Sequence, residues 1–124
     1  MSEINLGIIG GGQLGSMLSV AAKKLNIRTT IYSDDFDAPA QNFCDEFIFG
    51  KYDDKKKIYD FVNRVDVITY EFENIPYETL NEMNKEKSVL PKPSVNRLIQ
   101  HRLAEKDFVN KLNIRTTRYV SVEK

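Results

Sequence analysis

Gly7-Ile8-Ile9-Gly10-Gly11-Gly12-Gln13-Leu14-Gly15 carries an apolar strand into glycines spaced G-x-G-x-x-G and then into a helical pattern. Gly10 and Gly12 can take backbone angles closed to other residues and let a ligand touch the main chain. Gly15 lets the helix lie close to the strand. The helix start adds unpaired N–H groups and a partial positive charge, which suit a phosphate or a carboxylate. The same glycines would also serve a tight turn with no ligand, so what binds has to be read from the rest of the chain.

Outward from this turn, strands and helices alternate. Residues 4–9 form a nearly continuous apolar run of the kind buried on both faces of a parallel sheet. Leu14, Met17, Leu18, Ala21 and Leu25 recur at helical spacing and predict a helix that lays this face on the sheet, with Lys23 and Lys24 favouring its C-terminal dipole. Residues 27–32 predict a second strand, with Ser33-Asp34-Asp35 at its carboxyl end. Asp37-Ala38-Pro39-Ala40-Gln41 reads as a turn or a short helical piece. Residues 46–49 read as a third strand, and Gly50 stops it. Asp53 or Asp54 can cap a helix with Ile58, Phe61, Val62 and Val65 inward, its lysines at 55–57 forming a solvated face.

Residues 66–70 predict a fourth strand. A helix from about Pro76 turns Leu80 and Met83 inward, and residues 88–90 predict a brief fifth strand closed by Pro91 and Pro93. Ser94 can cap a last helical region carrying Val95, Leu98, Ile99, Leu103, Ala104, Phe108 and Leu112, followed by an extended segment at 114–120. The expected fold is α/β: a Rossmann-like parallel sheet with helices on both faces and ligands at the carboxyl ends of the strands.

Composition sets the outer bounds. The 124 residues, 41% of them hydrophobic, fit one domain with one core. Lys plus Arg and Asp plus Glu are 18 each, a balance that speaks against a nucleic-acid surface or an anionic membrane as partner. The glycine turn follows Met1-Ser2-Glu3 too soon for a secretory leader, and no run is long enough to span a membrane. Cys44 is the only cysteine, which excludes an internal disulfide and a multi-cysteine metal cluster and fits the cytoplasm. It reads as a core thiol.

The first βαβ unit invites a dinucleotide, with pyrophosphate over the glycines and Asp34 or Asp35 on a ribose. Against it stands Tyr70-Glu71-Phe72-Glu73-Asn74. Glu71 and Glu73 fall on one side of an extended chain at the same rim, where they would repel a pyrophosphate. They suit a ligand that offers hydroxyls or an amine to carboxylates and one phosphate to the turn, as a phosphoribosyl compound does. The plainer alternative is that one or both glutamates are solvent-exposed loop acids or a helix-start charge, and that Asp34 and Asp35 are turn acids. Arg102 and Lys106, four apart, can meet a polyphosphate or form a solvated cationic stripe. His101 has no second histidine or cysteine near it and reads as a surface or capping residue.

Gly10-Gly11-Gly12-Gln13-Leu14-Gly15, Asp37-Ala38-Pro39-Ala40, Tyr52-Asp53-Asp54, Thr69-Tyr70-Glu71-Phe72-Glu73-Asn74-Ile75-Pro76 and Arg102-Leu103-Ala104-Glu105-Lys106 stand in the order seen in one family. Over essentially its whole length the chain resembles the 5-(carboxyamino)imidazole ribonucleotide synthases, ATP-grasp ligases of purine biosynthesis. The resemblance implies a pre-ATP-grasp domain over residues 1–97 and, over 98–124, a connecting helix and the start of an ATP-grasp domain whose remainder is absent. It implies a reaction in which ATP and bicarbonate give carboxyphosphate, which carboxylates the amine of 5-aminoimidazole ribonucleotide by way of carbon dioxide, with release of ADP and phosphate.

Carried over by residue, Gly12, Gln13, Leu14, Glu71 and Glu73 are implied substrate contacts and Arg102 an ATP contact. No catalytic residue and no metal ligand falls in the segment. The family's ATP-binding lysines, glycine-rich phosphate loop and magnesium-binding acids lie further along, so this chain alone is not expected to turn over; a homodimer is implied for the full-length enzyme. His101 stands where the family pattern has an acid. Two alternatives stay open: the related formate-dependent phosphoribosylglycinamide transformylase, which typically has a glutamate where Gln13 stands, and a non-catalytic nicotinamide-binding regulatory module.

Overall fold

The computed structural model describes residues 4–122; residues 1–3, on which the expectation about a leader partly rests, and 123–124 lie outside the described part. Four parallel strands, β1 (Asn5–Ile9), β2 (Arg28–Ser33), β3 (Glu46–Phe49) and β4 (Val67–Tyr70), form one sheet in the order β3-β2-β1-β4. Ile9 pairs with Tyr32 on one side and Tyr70 on the other, so the carboxyl ends of β1, β2 and β4 share one rim. The chain steps outward from β1 through β2 to β3 and then returns to the opposite side of β1 for β4. The crevice between the ends of β1 and β4 is therefore the topological switch point, where open α/β sheets bind ligands.

Alternation of side chains splits the core in two. Ile9, Tyr32 and Ile68 face α2 (Lys55–Arg64) and α3 (Tyr77–Glu86), joining Phe61, Val62, Val65, Leu80 and Met83 in the larger cluster. Burying each of these large side chains is worth about 1.5–3 kcal/mol. Ile8 and Ile31 face the other way, toward Ala40 of a 3-10 turn (Pro39–Asn42). Asp54 is the cap of α2, its carboxylate accepting from the Lys57 N–H at 3.1 Å. Cys44 is half-buried beside the smaller cluster, and burial raises its thiol pKa.

Three expectations need correction. α1 (Gln13–Lys24) buries Gly15, Ser16, Ser19 and Ala22, while the stripe expected inside faces out, with Leu14 54% and Met17 60% exposed. The helix starts too close to the strand for larger side chains: a Cβ on Gly15 would lie 2.5 Å from the Gly10 carbonyl oxygen. Residues 88–90 make no fifth strand; Ile68 takes a hydrogen bond from Leu90 N and gives one to Ser88 O, and the pairing stops at a single bridge to Val89 before Pro91. The last helical region is two helices, α4 (Pro93–Ile99) and α5 (Arg102–Lys111). Lys92 rather than Ser94 precedes α4. His101 caps α5 by accepting from the Ala104 N–H at 3.4 Å. No helix among the described residues is long and apolar enough to cross a membrane.

Tyr32 is fully buried and donates from its hydroxyl to the Lys51 carbonyl at 2.6 Å. Burial, helped by the charges of Asp54, Asp53 and Asp34, pushes its phenol from 10.0 up to about 12. The folded chain thus keeps this proton longer than the unfolded chain. The contribution is intact below pH 10 and is lost as pH rises toward about 12. Tyr32→Phe should cost about 1 kcal/mol at neutral pH by orphaning the Lys51 carbonyl. It should also flatten the alkaline fall of Tm, read by thermal melts across that window; an unchanged alkaline slope would assign the fall to other groups.

Candidate functional site

The rim of the switch point is built by main-chain bonds. Gly10 N–H donates to the Tyr32 carbonyl at 2.9 Å, and Glu71 N–H donates to the Ile9 carbonyl at 3.2 Å. These bonds bring the glycine turn and the first residue after β4 together. Gly10 has φ +109, a region that side chains rarely enter. Gly12 is the cap of α1 and has no side chain of its own to bond the N–H groups of the first turn. The Glu71 carboxylate reaches over this turn, its Oε1 accepting from the Gly12 N–H at 3.4 Å. A Cβ on Gly10 would stand 2.6 Å from the same oxygen, so the turn has room for that carboxylate only because it lacks side chains.

The structure treats the other candidates unequally. Gln13 and Leu14 are exposed on the first turn of α1, beside the Gly12–Glu71 contact. The chain does not stay extended after Glu71 but turns at Glu73 and Asn74, leaving Glu73 exposed. Phe72 instead points to the core, its ring 6.4 Å from that of Tyr52. Asp35 is a turn acid, its Oδ1 accepting from the Asp37 N–H at 2.9 Å. Arg102 is 78% exposed and pairs with Glu105 at 2.7 Å, while Lys106 bonds the Thr117 hydroxyl at 3.1 Å and lies over the Tyr119 ring. The two cations thus take separate partners and do not converge on one point.

Tyr52 belongs to the site and was not among the predicted contacts. Its loop is held by the Tyr32 hydroxyl on the Lys51 carbonyl and by the Thr79 hydroxyl on the Tyr52 carbonyl, at 2.6 and 2.7 Å. Its ring continues an aromatic row, 6.1 Å from Tyr32. Burial first, then the charge and hydrogen bonding of Asp34, then the charge of Glu71, raise its phenol pKa far above the usual tyrosine range. A neutral hydroxyl thus stands among carboxylates. The signal in the sequence is Tyr52-Asp53-Asp54, one of the runs that carry the family resemblance, in which the acids alone have an expected role, as caps.

A groove of about 710 Å³ runs between α2 and α3, lined by Tyr52, Ile58, Val62 and Met83 among others. It lies on the helical layer and does not include the glycine turn. Among the described residues no three His, Cys, Asp or Glu side chains converge in a way that would hold a metal ion.

An open parallel α/β sheet with a glycine turn and a carboxylate at its switch point defines a domain of the Rossmann-like class. Residues 1–100 match the model of the ribonucleotide synthetase preATP-grasp domain, and the chain belongs to that family. It is 38% identical over 118 residues to the N5-carboxyaminoimidazole ribonucleotide synthase of Brucella melitensis, covering 95% of this chain and 33% of that protein. The crystal structure of N5-carboxyaminoimidazole synthetase from Staphylococcus aureus superposes with TM-score 0.87 at 33% identity, over 99% of this chain and 34% of that one. N5-carboxyaminoimidazole synthase from Aspergillus clavatus, solved with ADP and 5-aminoimidazole ribonucleotide, superposes at TM-score 0.79 and 28% identity, over 90% of this chain and 30% of that one. The chain thus spans about a third of the length of these relatives.

Gly10→Ala should destabilise the fold by about 1–3 kcal/mol, because alanine at this φ is strained. It should also displace Glu71 and speed amide exchange at Gly12. Denaturant melts and exchange by NMR check both; unchanged exchange at Gly12 would mean that Glu71 does not protect it.

Proposed function

We propose that the chain is the N-terminal, substrate-binding part of an ATP-dependent ligase. The whole enzyme would carboxylate 5-aminoimidazole ribonucleotide with bicarbonate to 5-(carboxyamino)imidazole ribonucleotide. The observation that carries this reading is the Glu71 carboxylate seated on the Gly12 N–H. A dinucleotide pyrophosphate would need that same seat and would meet a like charge in a partly dry crevice. Asp34, one of the two acids a nicotinamide site could direct to a ribose, acts instead on the Tyr52 phenol, whose pKa is raised by burial and then by the charge and hydrogen bonding of this acid. Both points disfavour the nicotinamide-binding module. The names of the relatives favour the synthase over the formate-dependent transformylase.

In this reading Glu71 accepts from hydroxyls or the amine of the ribonucleotide. Gln13 and Leu14 contribute main-chain N–H groups and surface at the start of α1, Gly12 gives room beside them while its N–H holds Glu71, and Glu73 joins as the loop meets the ligand. Arg102, free to leave Glu105 on an exposed surface, is the ATP contact. ATP supplies the phosphoryl group that activates bicarbonate. The residues that hold ATP and its magnesium lie mainly outside this segment, as does any group acting on the reacting atoms. Residues 1–97 form the pre-ATP-grasp module and 98–124 lead into the ATP-grasp domain. The break between Ile99 and Arg102 supports a junction there. The complete enzyme would work as a homodimer.

In the complete enzyme, Glu71→Gln should raise KM for the ribonucleotide by roughly 10- to 150-fold, equivalent to losing a charged hydrogen bond of about 1.5–3 kcal/mol, with the ATP KM nearly unchanged. Steady-state kinetics with each substrate varied would check it, and an unaltered ribonucleotide KM would remove Glu71 from the site. Tight NADH binding in a fluorescence titration, abolished by Asp34→Ala, would instead establish the nicotinamide reading.

A further inference from the structure

Beyond the Glu71 N–H bond to the Ile9 carbonyl, residues 71–75, which carry both glutamates of the crevice, leave β4 with no strand or helix pairing their main chain. Their carbonyls find partners on α4 and the residue that ends it. Gln100 donates from Nε2 to the Glu73 carbonyl at 2.7 Å and to the Ile75 carbonyl at 2.6 Å. Asn96, four residues earlier and fully buried, donates from Nδ2 to the same Ile75 carbonyl at 3.1 Å. A side-chain amide carries two N–H donors, so Gln100 can serve both carbonyls at once and hold Asn74 and the turn between them. Of the buried Asn96 amide, Nδ2 bonds this loop while Oδ1 has no partner, so the bond to Ile75 is the one its side chain makes. An amide clamp also adds no charge beside an acidic rim, where a lysine or arginine would compete for the Glu71 carboxylate.

We infer that Gln100, braced by Asn96, is a positioning residue that fixes residues 71–75 and thereby holds Glu71 over the glycine turn. Its functional half rests on the ribonucleotide reading of the crevice given above. Gln100 is exposed and ends a helix, so its replacement leaves the core intact. Gln100→Glu keeps the shape but lacks the donors when ionised, and Gln100→Ala removes the group.

In the complete enzyme without ligands, both variants should speed amide exchange across residues 71–76. Both should raise the ribonucleotide KM about tenfold, the effect of losing two neutral hydrogen bonds. The ATP KM and kcat should stay within about twofold. On a Glu71→Gln background, Gln100→Ala should add little, because a positioning residue acts only through what it positions. Unchanged exchange across residues 71–76 overturns the inference. So does an equal rise in both KM values, which is general loosening, or an effect fully additive with Glu71→Gln. Faster exchange with an unaltered ribonucleotide KM overturns it if Glu71→Gln still raises that KM. If Glu71→Gln leaves that KM unaltered too, the assignment of the crevice fails and takes the inference with it.

Discussion

α1 begins in contact with the end of β1: a Cβ on Gly15 would come within 2.5 Å of the Gly10 carbonyl oxygen. That constraint propagates in both directions. Along the helix it admits only Gly15, Ser16, Ser19 and Ala22 against the sheet and turns the larger apolar residues outward. At the rim it brings the uncapped helix start to the switch point, where the Gly12 N–H meets the Glu71 carboxylate. The packing of the smaller layer and the chemistry of the crevice thus share one cause, the absence of side chains at the turn.

The electrostatics of the crevice follow from what surrounds that turn. Glu71 lies over the glycines and Asp34 beside the Tyr52 hydroxyl, and burial and the two carboxylates keep that phenol protonated. Such a rim offers acceptors to hydroxyl or amine donors and leaves little room for a second phosphate. The exposed apolar residues on and at the ends of α1 and α5, Met17, Leu25, Phe108 and Leu112 among them, belong to a segment one third the length of its relatives.

The sequence pattern made the four strands, the Asp54 cap and the Phe61-Val62-Val65 face of α2 legible, because period and capping there answer to local physics. It misled on α1. Helical spacing identifies an apolar stripe but not whether the neighbour leaves room for it, and that depended on the contact between Gly15 and Gly10. The break at Gln100 and His101 was hidden because apolar spacing continues across it, while the amide bonds that anchor Gln100 to the loop join residues 25 and 27 apart in sequence. In the site, the pairing of the glycine turn with Glu71 was readable from strand order, whereas Tyr52 was not. Its place depends on the Tyr32 and Thr79 hydroxyls that pin its loop.

The most direct measurement is an amide chemical-shift titration of the complete protein with 5-aminoimidazole ribonucleotide. The account predicts that the largest saturable shifts fall on Gly10 to Gly15 and on residues 71–75, the two segments joined at the Gly12–Glu71 contact. Shifts confined to the groove between α2 and α3, with the glycine turn unmoved, would contradict it.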